Sequence, residues 1–148
     1  MHSFNSCLIH CVWSTKNRAP FLDSDLRKRL WPYLGGIARD NKMKTLAVGG
    51  MADHVHLLIS LPASLSVAKA LQLLKGNSSK WIHESFPGLA GFAWQEGYGA
   101  FSIGVSGVDA TVNYIRNQKE HHRQRTFREE LVAMLHKHGL DFDERMLD

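Results

Sequence analysis

The segment 44–61 limits the possible folds of this chain most sharply. KTLAVGG (44–50) and HVHLLISL (54–61) are both β-prone, and only MAD separates them. A link that short cannot carry the chain across a sheet to a parallel partner, so the two strands are expected to pair antiparallel. Another apolar, β-prone run, CLIHCVW (7–13), predicts an earlier strand, followed by the loop NRAPF with its proline breaker. Asp23 or Ser24 caps a helix predicted to reach about Asn41, with Leu26, Leu30, Leu34 and Ile37 as its inner stripe. Pro32 lies inside it and predicts a kink or a late start. A second helix is expected from Ser66 to about Phe86, weakened in the middle by Gly76, with Val67, Ala70, Leu71, Leu74, Trp81 and Ile82 inward. A fourth strand over 98–105, a long helix from Gly107 to about His122, and a final helix follow. The last is started by Thr126, with Glu129 at the capping-box position, and stopped by Gly139. The order β-α-β-β-α-β predicts an α+β, ferredoxin-like (split βαβ) antiparallel sheet with helices packed on one face, plus C-terminal helices.

The length, 148 residues, suits a single domain spanning 1–148, and no repeat, low-complexity tract or internal linker is visible. A net charge of +4 suits a polyanionic partner as well as many ordinary globular proteins. The cysteines, Cys7 and Cys11, fall on one predicted strand. Four residues of strand span about 13 Å, too far for a disulfide, whose Cα atoms lie within about 7 Å. Both are expected to be reduced, buried thiols. No basic start followed by an apolar run marks a signal peptide, and no window approaches the ~20 apolar residues of a membrane helix. A cytoplasmic protein is therefore expected.

Two constellations could carry chemistry. In HVH, His54 and His56 are two residues apart on a strand, so they project together while Val55, Leu57 and Ile59 face the other way. Such a pair is either a chelate for a divalent metal or two satisfied histidines on a half-exposed strand. His136 and His138 share that spacing, but on a predicted helix they point about 200° apart and are read as solvated or helix-end histidines. On the third helix the apolar stripe is Val108, Val112 and Ile115. Tyr114 lies off it, with Gln118 four residues on and His121 completing the row. This is either a solvated helix side or a functional face.

These residues resemble a known group. DHVHLLI (53–59), LKGNSSKWI (74–82), WQEGYGAFSIGVS (94–106) and YIRNQKEHHRQRTFREEL (114–131) are together similar to the small single-tyrosine transposases of bacterial insertion sequences. That group is named for its His-hydrophobe-His element, and its relatives include proteins associated with repeated extragenic palindromes. The resemblance implies that His54, His56 and Gln118 hold a Mg²⁺ or Mn²⁺ ion and that Tyr114 is the nucleophile. It further implies cleavage and rejoining of single-stranded or hairpin DNA through a covalent 5′-phosphotyrosine. It also implies a homodimer in which the tyrosine helix serves its own or the partner's metal site. Gly104 and Gly107 bracket the link into that helix and would suit a mobile connection. His121 is a candidate helper in removing the tyrosine proton. For DNA contacts the basic candidates are Lys16, Arg18, Lys75, Lys80, Arg116, Lys119 and Arg123, with Arg125 and Arg128 continuing the stripe. Trp94 and Tyr98 could stack on unpaired bases, although Trp94 suits a core equally well. Competing readings are a non-catalytic nucleic-acid-binding module of this fold and a zinc hydrolase, which would want a third His or carboxylate ligand.

Overall fold

The structure, a computed structural model, describes residues 1–121 and 124–147. Four strands, β1 (Leu8–Ser14), β2 (Lys44–Met51), β3 (His54–Ser60) and β4 (Gly99–Ile103), form one sheet in the order β2-β3-β1-β4, with every neighbour antiparallel. With α1 (Ser24–Asp40) between β1 and β2, and α2 (Val67–Ser85) between β3 and β4, this is the expected split βαβ arrangement. β1 begins one residue later than predicted, and Cys7 is exposed rather than buried. β4 is shorter than the predicted 98–105.

α1 and α2 lie on the sheet face to which Val55, Leu57 and Ile59 point. Leu26, Leu30, Leu34, Leu71, Leu74 and Ile82 meet Cys11, Trp13 and those three residues in the main core. Each fully buried Leu or Ile there contributes roughly 1.5–3 kcal/mol. Asp23 caps α1 by accepting from the Leu26 N–H at 2.8 Å, and the helix runs from Ser24 through Pro32 without the late start the proline suggested. Pro32 is exposed, on the side of the helix away from the core.

The other face is covered too. α3 (Val108–Arg116) packs Ile115, Val108 and Val112 against Ala47 and Leu58, while α5 (Phe127–Lys137) packs Phe127, Leu131, Met134 and Leu135 against Val12 and Phe101. The C-terminal helices, which the sequence did not assign to a face, thus close the second side of the sheet. This buries β3 residues of both parities. α3 can lie this close because β2 has Gly49 beneath it; a Cβ there would sit 2.3 Å from the Ile115 carbonyl oxygen.

The predicted continuous helix over 107–122 is not formed. A short turn over Val105–Gly107 leads into α3, Asn117 leaves the helix at φ −101°, ψ 28°, and a single turn, α4 (Gln118–His121), follows. Gly104 (φ −75°) and Gly107 (φ −94°) take angles open to any residue, so the link does not use glycine's conformational freedom. Arg123, one of the DNA-contact candidates, lies outside the described residues. α5 starts at the predicted capping box: Thr126 Oγ1 accepts from the Glu129 N–H, and the Glu129 carboxylate accepts from the Thr126 N–H. It ends at Lys137, and Gly139 two residues on, with a φ of 66°, stops it. No helix among the described residues is long and apolar enough to cross a membrane.

Candidate active site

The site is built where β3, α3, α4 and α5 meet. Strand alternation sends His54 and His56 to the face opposite the main core, as expected, but not to a half-exposed surface: both are fully buried under the C-terminal helices. α3 and α4 bring Tyr114 and Gln118 onto the same spot. Gln118 Oε1 lies 2.9 Å from His54 Nε2, and the Gln118 amide nitrogen donates to the Tyr114 carbonyl at 3.3 Å. The Tyr114 ring stands edge-on to His56, with centroids 5.7 Å apart. The His121 ring is 4.5 Å from it on the other side.

The hydrogen bonds fix which nitrogens carry protons. Asp53 Oδ1 is 2.7 Å from His54 Nδ1. A carboxylate only accepts, so His54 carries its proton on Nδ1 and turns the Nε2 lone pair toward Gln118. Gln118 meets it with an oxygen, because its amide nitrogen is committed to Tyr114. Two acceptors therefore face each other 2.9 Å apart. Two ligands of one cation can share that spacing, so the donor set fits a bound metal ion. On His56, Nδ1 lies 2.8 Å from His10 Nε2. His10 is buried, and burial together with the nearby His56 lowers its pKa to about 3, which keeps it neutral. A neutral His10 can accept the Nδ1 proton of His56 when His56 offers Nε2 to a metal.

One residue of the cluster was missed by sequence reasoning. Glu130, from the first turn of α5, is 1% exposed, and its Oε1 lies 2.8 Å from His56 Nε2 and 3.7 Å from His54 Nε2. Its other oxygen accepts a hydrogen bond from the Tyr114 hydroxyl. Burial acts to raise the Glu130 pKa. The hydrogen bond and charge of His56, the Tyr114 hydroxyl and His54 outweigh it and hold the carboxyl below its usual range. Tyr114 is pushed up from its ordinary value by burial, then by the bond to Glu130 and its charge; Gln118 and Arg125 oppose this. His54, His56 and Glu130 offer ligand atoms within 4.8 Å of one another, the one such group of His, Cys, Asp and Glu side chains among the described residues. The only trace of Glu130 in the sequence was FREE, read as a capping signal. Nothing in helical spacing says that the residue after the capping glutamate reaches across to β3.

The basic candidates do not converge equally. Arg18 lines an open cleft of about 590 Å³ beside Asp53, Phe127 and Arg125, and Phe127 stacks on His54 at 4.7 Å. Arg18 also donates to the Leu147 carbonyl at 2.9 Å. Lys16, Arg116 and Lys119 are exposed. Lys75 donates to the Gln95 and Gly97 carbonyls at 2.8 and 2.7 Å and so ties down the loop before β4. Lys80 sits between α1 and α2, across the sheet from His54. Arg128 pairs with Glu144. Trp94 is a packing residue: its Nε1 donates to Ser78 Oγ at 3.0 Å, and its ring meets Trp13 and Phe92 edge-on. Tyr98 is exposed. His138 caps α5 and stacks on Phe101, as a helix-end histidine should.

This sheet order, with a His-Val-His strand facing a Tyr-x-x-x-Gln turn, is the arrangement that the resemblance to transposases implied. Residues 3–118 match the family described as Transposase IS200 like, and the chain belongs to that family. It is 27% identical over 125 residues to the transposase for insertion sequence element IS200 of Salmonella typhimurium strain LT2, covering 80% of this chain and 81% of that protein. A crystal structure of a Deinococcus radiodurans R1 protein superposes with a TM-score of 0.67 at 26% identity, over 80% of this chain and 95% of that one. The tyrosine transposase bound to a REP hairpin has the same fold, with a TM-score of 0.61 at 18% identity over 82% of this chain and 72% of that one.

Proposed function

We propose that this transposase cuts and rejoins single-stranded or hairpin DNA, with Tyr114 as nucleophile beside a divalent metal held by His54, His56 and Gln118. The observation that carries the reading is the facing pair of acceptors, His54 Nε2 and Gln118 Oε1, inside a cluster that also holds the Tyr114 side chain. Mg²⁺ or Mn²⁺ bound there would supply Lewis-acid neutralisation of the charge that builds on a phosphodiester under attack. The side chains do the rest. Asp53 holds the His54 tautomer, His10 would accept the Nδ1 proton of a metal-bound His56, and the Tyr114 carbonyl anchors the Gln118 amide nitrogen so that its oxygen turns inward. Glu130 holds the tyrosine proton at the reacting oxygen. Attack by the Tyr114 oxygen on phosphorus forms a phosphotyrosine bond, breaks the bond to the 3′ oxygen and releases a 3′-hydroxyl. The energy of the phosphodiester stays in the protein–DNA bond, so the reverse step can join a new 3′ end without ATP.

Arg18 and Arg125 beside the cleft, with Lys16, Arg116, Lys119 and Arg123, are proposed to hold the DNA backbone; Lys75 and Lys80 would contact it only away from the cleft. Two ends must be held together for rejoining, and a homodimer provides two sites. Within one chain the tyrosine and histidines already meet, which favours action by each chain on its own strand. The test is incubation of single-stranded DNA from the gene's flanks with Mn²⁺. Wild type should give a covalent adduct and Tyr114→Phe none, with fold and DNA binding kept. An adduct of equal yield from the Phe variant would sink the assignment.

A further inference from the structure

We propose that Glu130 is a fourth protein ligand of the same ion, and that its second oxygen holds the Tyr114 hydroxyl beside that ion. The proposal rests on the metal reading above but adds a ligand that its metal site does not contain. The family match ends at Gln118, and Glu130 lies beyond it on α5.

The geometry is that of ligands sharing one centre. Ligands at right angles around an ion with bonds of about 2.1 Å sit about 3 Å apart. His54 Nε2 to Gln118 Oε1 is 2.9 Å, His56 Nε2 to Glu130 Oε1 is 2.8 Å, and His54 Nε2 to Glu130 Oε1 is 3.7 Å. Four atoms from two helices and a strand thus converge. The position of Glu130 is built rather than incidental. The capping box fixes the first turn of α5, Phe127 is seated on His54, and the carboxylate is 1% exposed between β3 and α3. A buried carboxylate costs several kcal/mol unless it is paired or coordinates a metal. Chemically, it turns a neutral ligand set into one with a negative oxygen, which favours hard ions such as Mg²⁺ and Mn²⁺. Because Oε2 accepts from the Tyr114 hydroxyl, the same carboxylate would set the distance between nucleophile and ion.

The competing explanation is that Glu130 fills the space an ion would take and must leave before one binds. Calorimetry of the metal-free chain with Mn²⁺ separates the two. Wild type should bind one ion, and His56→Ala should lose it. Glu130→Gln, nearly isosteric, should weaken binding by about tenfold or more, since even residues behind the ligands cost 10–100-fold. Equal or tighter binding by Glu130→Gln, with His56→Ala still dead, would make Glu130 a plug and overturn the proposal while leaving the metal reading standing. No binding by wild type would remove the metal reading itself, and this proposal with it. Should Glu130→Gln fail to fold, crystals of wild type grown with Mn²⁺ decide: a Glu130 oxygen at about 2.1 Å from the ion supports the assignment, and a carboxylate swung out of the cluster refutes it.

Discussion

A histidine becomes a metal ligand only when its other nitrogen keeps the proton, and at His54 that condition is enforced by Asp53, at 2.7 Å. Asp53→Asn keeps the shape but can present an amide N–H to Nδ1, which favours the tautomer that cannot ligate at Nε2. Mn²⁺ affinity should fall by roughly 10–100-fold, measured by calorimetry; unchanged affinity would mean that Asp53 does not set the tautomer. The cysteines give a second test at this scale. Cys7 is exposed and Cys11 buried, with burial raising the Cys11 thiol to about 12 from an ordinary value of 9.0. A thiol reagent at neutral pH should label one cysteine in the native protein and two after denaturation. The sign of the pH effect follows. Between 9.0 and about 12 the unfolded chain gives up a proton that the folded chain retains, so this contribution to stability is intact below 9.0 and shrinks as pH rises through that window. Cys11→Ala should flatten that part of a stability-versus-pH curve, and a curve of unchanged slope would show that the thiol is not the group responsible.

The element that positions the nucleophile is α3, and what admits it is a missing side chain. Gly49→Ala would push a methyl group to within 2.3 Å of the Ile115 carbonyl oxygen, a backbone atom that cannot swing aside. The expected cost is about 1–3 kcal/mol, read as a shift of the urea midpoint, together with reduced adduct formation because Tyr114 rides on the displaced helix. A neutral Gly49→Ala would mean that α3 does not rest on β2 as described. α3 also shows where the sequence stopped being legible. Strand alternation in HVHLLI, the capping signals at Asp23 and Thr126, and the strand-helix order were all readable, because each depends on near neighbours. The histidine pair and the Tyr-x-x-x-Gln turn were readable for the same reason, with the resemblance supplying their roles. The break at Asn117 was not readable, since no proline or glycine marks it and the helix-favouring residues Gln118, Lys119 and Glu120 follow. Neither was Glu130. Its role depends on how α5 crosses the sheet, and a glutamate in a first helical turn has an adequate local explanation in the helix dipole.

For the whole molecule, the arrangement of charge predicts the substrate. A site roofed by α5 and flanked by a cleft with Arg18 and Arg125 suits a backbone that can bend into it, which a single strand or a hairpin end does more readily than plain duplex. Binding should weaken with salt, each phosphate contact on a single strand adding about 0.7 to the log–log slope. Arg125→Ala should lower that slope by about one contact's worth, while Lys80→Ala, on the far side of the sheet, should leave it unchanged. Equal slopes for both variants would place the DNA elsewhere. The central claim is that Tyr114 becomes joined to the 5′ phosphate of the cut strand in a metal-dependent step, and peptide mapping by mass spectrometry tests it most directly. After reaction with Mn²⁺ and trimming of the DNA, the account predicts a nucleotide mass on the peptide containing Tyr114, absent when the ion is chelated. An adduct on another residue, or cut strands carrying free 5′ phosphates with Tyr114 unmodified, would contradict it.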